Sequence, residues 1–199
     1  MEMLLIRHAR PFHTADESGA DPDLTPEGEL QSKLLAGALA EGRYGTVDRL
    51  VSSPMRRALQ TAGHVGEALV LGTVIEDRIA ELDQGWTTYG LDLDAYDDRR
   101  ELFEHMNDGR LGENTFDPHL FRTRVIDGLD AQVGTSSRVT AIVCHGGVIN
   151  AYLSHILGTT RMFFAEPFYT SVTRLRVEPD GYRQVLSLNE TDHLWGSAG

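Results

Sequence analysis

Two short apolar runs that stop abruptly on basic residues constrain this chain more than any other feature. Met3-Leu4-Leu5-Ile6 leads directly into Arg7-His8, and Val139 to Cys144 leads directly into His145-Gly146-Gly147. Runs of this length without polar alternation fit strands covered on both faces, as in a parallel sheet. Each then ends at a loop that carries titratable groups.

The segments between these runs have helical signals. In Leu24-Thr25-Pro26-Glu27-Gly28, Thr25 can cap and Pro26 suits the first helical position, with Leu30, Leu34, Leu35 and Leu39 following at helical spacing. Asp48–Ser52 reads as a strand, Met55 to about Leu69 as a helix, and Val74-Ile75 as a short strand. Phe121, Val125 and Leu129 place a helix within Phe116–Val133, and Val148–Leu157 reads as a helix closed by Gly158. Ser171–Val177 and Tyr182–Leu188 alternate on either side of Pro179-Asp180-Gly181, a hairpin signal. Thr87–Asn114 is polar, acidic and aromatic without strand alternation, and reads as a mostly helical lid. With no repeat, low-complexity tract or linker, residues 1–199 are expected to form a single domain with an inserted cap at 87–115. The expected fold class is α/β. It is a three-layer α/β/α sandwich with a mostly parallel sheet, a C-terminal antiparallel hairpin and a small helical cap.

Charge narrows the partners. Thirty acidic against 18 basic residues give a formal net charge of −12. That balance disfavours nucleic-acid binding, which needs a basic face, and docking on an anionic membrane. An anionic substrate would require a local island of arginines. The single cysteine, Cys144, excludes an internal disulfide and fits a reducing compartment. No secretory leader or membrane-length apolar stretch is legible, so the expected location is cytoplasmic.

Arg7-His8, Arg57, Glu81 and His145 all stand where predicted strands or the segments after them stop, the position at which open parallel sheets bind ligands. Each alone has a bland reading as a solvated strand end, an exposed helix arginine or a turn histidine. Their order along the chain is the informative part. Leu5-Ile6-Arg7-His8-Ala9 resembles the Arg-His-Gly signature of the histidine phosphatase superfamily, which includes the cofactor-dependent phosphoglycerate mutases. Leu24 to Gln31 is similar to that family's Leu-Thr-x-x-Gly-x-x-Gln segment, and Ser52 to Ala62 to its Ser-Ser-x-x-x-Arg-Ala-x-Gln-Thr-Ala motif. The latter alignment selects Arg57 over Arg56. Glu81 to Gly85 resembles the acid motif, Val143 to Ile149 the second-histidine motif, and Asn189 to Leu194 the closing Asn-x-x-x-His-Leu.

The resemblance implies a metal-independent phosphomonoesterase acting on a small phosphorylated metabolite. His8 attacks phosphorus and forms a phosphohistidine; Arg7 and Arg57 grip the phosphoryl oxygens. His145 stabilises those oxygens, most usefully when protonated, and Glu81 protonates the leaving group. Thr14 and Gly146 are further candidate phosphate contacts. Two departures stand out: Ala9 replaces the family's Gly, and Arg10-Pro11 and Thr14 occupy positions where other residues are usual. Arg10 either adds an anion-binding charge or points outward. Glu113, Trp86 and Tyr89 either line the leaving-group pocket or belong to lid packing.

No cofactor or metal site is expected, because neither H-E-x-x-H nor a paired-cysteine pattern occurs, and a Walker loop is also missing. Cys144 reads as a buried strand residue. Competing functions are a mutase that returns the phosphoryl group to a bound sugar acid, and a catalytically impaired phosphate-binding module. A homodimer is a candidate assembly.

Overall fold

A computed structural model of the chain describes residues 1–13, 21–87 and 98–195. Six strands form one sheet in the order β3-β2-β6-β1-β7-β8. They are β1 (Glu2–Arg7), β2 (Arg49–Ser52), β3 (Thr73–Ile75), β6 (Val139–Cys144), β7 (Val172–Val177) and β8 (Arg183–Glu190). β1, β2, β3 and β6 run parallel, whereas β7 and β8 add an antiparallel edge beside β1. The expected mixed α/β fold with a terminal hairpin is therefore present, and Gly181 turns that hairpin at φ 96.

Alternation along β1 explains the layers. Met3 and Leu5 join Phe121, Val125 and Leu129 of α4 (Pro118–Asp130) and Val148, Ile149 and Tyr152 of α5 (Gly146–Leu157) in one core. Leu4 and Ile6 join Leu35 and Leu39 of α1 (Pro26–Ala40) and Ala58, Ala62 and Val65 of α2 (Arg56–Leu69) in the other. Successive strand side chains point to opposite faces, so a strand that is apolar throughout must be covered twice.

Helix boundaries follow local chemistry. Thr25 Oγ1 accepts from Gly28 N at 3.0 Å and caps α1. The helix expected from Phe116 begins at Pro118, because Asp117 caps it by accepting from His119 N and Leu120 N. Gly158 closes α5 in the left-handed region at φ 65.

The expected cap is described over residues 98–115. Its described part holds one helix, α3 (Arg99–Asn107), followed by a two-stranded ribbon of β4 (Arg110–Leu111) and β5 (Asn114–Thr115) rather than further helix. Gly109 at φ 79 and Gly112 at φ 59 break the helical path and turn the chain back. Among the described residues no helix is long and apolar enough to cross a membrane.

Candidate active site

The parallel register gathers the predicted groups. Arg7 pairs with Cys144 across β1 and β6, and Ser52 pairs with Val143 across β2 and β6. The residues that follow those strand ends, His8, Ser53 and His145, therefore meet at the carboxyl end of the parallel strands.

His8 is buried, and its Nδ1 donates to the Ala9 carbonyl at 2.7 Å. That bond leaves Nε2 as the unprotonated nitrogen. Burial, then the charges of Arg57 and Arg7, hold the His8 pKa well below the ordinary histidine value. A neutral imidazole with a free lone pair is the form a nucleophile needs.

Two arginines flank it. The Arg7 guanidinium lies 4.0 Å over the Tyr169 ring and donates to the Pro167 carbonyl at 2.6 Å. Its Nε is buried without a hydrogen-bond partner among the described residues. Arg57 is fully buried, and its Nη2 donates to both Asp83 oxygens at 2.9 and 3.1 Å. Burial raises the Asp83 pKa to about 6 even though Arg57 opposes the shift. A buried ion pair of this kind is costly to break from either side.

His145 is also fully buried. Its Nε2 lies 2.7 Å from Ser53 Oγ, its ring centroid is 5.1 Å from that of His8, and Nδ1 has no partner among the described residues. Burial, then Arg57, His8 and Arg7, keep its pKa well below the ordinary value. Burial and the two nearby guanidinium groups therefore oppose the protonated form that the resemblance makes most useful for His145.

Glu81 lines the same cleft. Its Oε1 accepts from Leu82 N at 2.9 Å and its Oε2 from Gly147 N at 2.8 Å. A Cβ on residue 147 would overlap the Glu81 carboxylate, so this glycine is required for the approach. Gly146 faces the cleft near Arg7, but a Cβ there would meet only ordinary contacts. Arg124 donates to the carbonyls of Arg78 and Ala80 at 2.9 and 2.8 Å and so pins the turn that leads into Glu81. Thr14 and Tyr89 lie outside the described residues.

The departures at residues 9 and 10 have simple outcomes. Ala9 is buried with an ordinary negative-φ backbone, and its N–H donates to Thr61 Oγ1 at 3.0 Å. Alanine therefore fits without strain. Arg10 pairs with Glu27 at 2.6 Å on the surface at the cleft rim. Its main chain is clamped: Gln31 Oε1 accepts from Arg10 N, while Thr25 N and Thr25 Oγ1 donate to the Arg10 carbonyl. Gly28 packs so closely on that carbonyl that a side chain there would collide with it. The Leu24–Gln31 motif thus holds the loop after His8.

The closing motif works at greater range. Asn189 Oδ1 accepts from Phe168 N at 2.7 Å, which fixes the segment that presents the Pro167 carbonyl to Arg7. His193 bridges Tyr44 and Thr170. The profile of the histidine phosphatase superfamily (branch 1) matches residues 3–191.

The chain belongs to this superfamily.

A segment of the chain is 36% identical over 88 residues to phosphoserine phosphatase 1 of Hydrogenobacter thermophilus, covering 43% of this chain and 40% of that relative. The match thus spans less than half of the relative's length. Among solved structures, a mycobacterial glucosyl-3-phosphoglycerate phosphatase superposes with a TM-score of 0.77 at 19% identity, covering 96% of this chain and 99% of the other. A phosphoglycerate mutase from Bacillus anthracis superposes with a TM-score of 0.79 at 20% identity, covering 98% and 95%. At that identity the likeness is one of histidine phosphatase fold.

Sequence reasoning singled out Arg7, His8, Arg57, Glu81, His145 and Gly146, and the fold brings them to one cleft or its immediate wall. It missed Asp83, Ser53 and Thr61, although all three lie inside quoted motifs and a buried arginine implies a carboxylate partner. Tyr169 and Pro167 carry no motif signal; only the sheet order brings them to Arg7.

Proposed function

We propose that the protein is a metal-independent phosphomonoesterase that turns over small phosphorylated metabolites through a phosphohistidine on His8. The observation that carries this reading is the Nδ1–H···O=C bond from His8 to Ala9, which leaves a neutral Nε2 within the field of the Arg7 and Arg57 guanidinium groups. Fork-shaped donors on both sides suit the equatorial oxygens of a phosphoryl group, where positioning and charge neutralisation dominate catalysis.

In the first step Nε2 forms a bond to phosphorus as the ester P–O bond breaks. The departing oxygen takes a proton from the Glu81 carboxyl. In the second step a water gives its proton to the Glu81 carboxylate and attacks phosphorus, the P–N bond breaks, and inorganic phosphate leaves. Ser53 can donate to Nε2 of neutral His145, which puts the His145 proton on Nδ1, the buried atom without a partner. That N–H can then donate to a phosphoryl oxygen without the ring being cationic. Thr14 and the Gly146 main chain complete the proposed phosphate contacts. The buried, unpaired Cys144 supports a cytoplasmic setting.

The test is His8→Ala with an aryl phosphate. Turnover should fall by about 10⁴-fold or more, and acid-labile phosphate trapped on the wild-type protein should vanish. Turnover at the wild-type rate would sink the mechanism. Release of inorganic phosphate, rather than isomerisation of phosphoglycerate, separates a phosphatase from a mutase.

A further inference from the structure

The cleft extends well past the phosphate end, to about 610 Å³ among the described residues. A space of that order can enclose a ligand much larger than phosphate. Its far wall is apolar: Trp86, Leu102, Phe103, Met106, Leu111 and Phe163 all line it. Leu102 and Phe163 belong to the buried core, whereas Trp86, Phe103, Met106 and Leu111 are only half-buried and keep apolar surface toward the cleft.

Two of the polar groups described at that end, Asn150 and Arg99, are engaged with the main chain or with another side chain. Asn150 donates to the carbonyls of Gly146 and Ala165 and accepts from Phe164 N and Ala165 N, which saturates its amide. Arg99 pairs with Glu166 at 3.1 Å. Glu113, on the exposed tip of the β4–β5 ribbon, adds another negative charge. A carboxylate next to the substrate's phosphate would face Glu113 and Glu166, and the cleft-lining Arg99 and Arg10 are each already paired with a glutamate.

We infer that the ester group of the substrate is a hydrocarbon or aromatic body with no second negative charge, seated on the wall formed by Phe103, Met106 and their neighbours. This rests on the phosphomonoesterase reading above. The wall then contributes to rate through apolar contact, and the arginines through the phosphate alone.

Linear alkyl monophosphates from ethyl to octyl provide the test, because their leaving-group chemistry is constant and only the buried chain grows. kcat/KM should rise by about threefold per methylene while the wall is being covered. Octyl phosphate should exceed both 3-phosphoglycerate and O-phosphoserine by about tenfold or more. Phe103→Ala and Met106→Ala should each lower the octyl-to-ethyl ratio by about tenfold; a ratio is insensitive to a general loss of folded protein. A flat or falling series, or a preference for either charged ester over octyl phosphate, overturns the inference while leaving the phosphomonoesterase reading intact. If no ester is hydrolysed, or His8→Ala hydrolyses them equally well, that reading fails and the inference falls with it.

Discussion

At one end of the cleft His8, Arg57 and His145 are buried and fixed by main-chain or buried side-chain partners. At the other end Trp86, Phe103, Met106 and Leu111 stand half-buried around one helix and a small ribbon. The first end hangs on the ends of β1, β2 and β6, whose register is set by two packed cores. The second hangs on an insertion outside the sheet. Strand ends in a close-packed interior cannot shift without disturbing both layers, so they suit a geometry that must be exact to fractions of an ångström. An apolar wall tolerates substitution, because contact area is not directional. On the proposed reading, the chemistry belongs to the first end and the choice of ester group to the second.

This contrast can be broken most directly at Arg57. Arg57→Ala should lower kcat/KM by about 10²–10³-fold, through loss of a preorganised donor. It should also cost about 3 kcal/mol of stability, because Asp83 is left buried without its counter-charge; steady-state kinetics and a urea transition measure the two effects separately. A purely catalytic loss with unchanged stability would mean that the pair is not the buried contact described.

Gly147→Ala comes next. Its Cβ displaces the Glu81 carboxylate, and kcat should fall by about 10²-fold with little change in the burst of phosphohistidine formed from an aryl phosphate, whose leaving group needs little help from an acid. A fall in the burst equal to the fall in kcat would remove Glu81 from the second step.

The acid limb of stability probes the rigid end as a whole. Burial holds His193 at a pKa of about 4 and keeps His8 and His145 well below the ordinary value of 6.5. The unfolded chain takes up protons that the native protein refuses. Their stabilising contribution is therefore full above pH 6.5 and is lost as pH falls below it, for His193 down to about 4. The loss is roughly 1 kcal/mol per pH unit for each histidine. Urea midpoints between pH 6.5 and 5 should flatten by one histidine's share in His193→Gln.

Arg10→Ala should have the smallest effect. Its ion pair with Glu27 is exposed, so stability should change by about 0.5 kcal/mol or less and kcat/KM by less than about threefold. A large rise in KM would move Arg10 into the phosphate site.

The apolar runs at 3–6 and 139–144, the Thr25-Pro26 cap and the Asp180-Gly181 turn made the sheet and most helices legible, because their signals are local: periodicity, capping and positive φ. The same locality made His8, Arg57, Glu81 and His145 legible, since each lies in a short motif. The β4–β5 ribbon was not legible, because two glycines at positive φ overrode a composition that otherwise reads as helical. Tertiary structure alone joined Arg57 to Asp83, Arg124 to the turn before Glu81, and Asn189 to the segment that orients Arg7. It also set the electrostatic surroundings of His145, where burial and arginines distant in sequence disfavour the protonated form. Thus the sequence by itself determined which groups could perform the chemistry. Their protonation, spacing and the apolar wall opposite them were decided only by the fold, because electrostatics and burial depend on distance in space rather than along the chain.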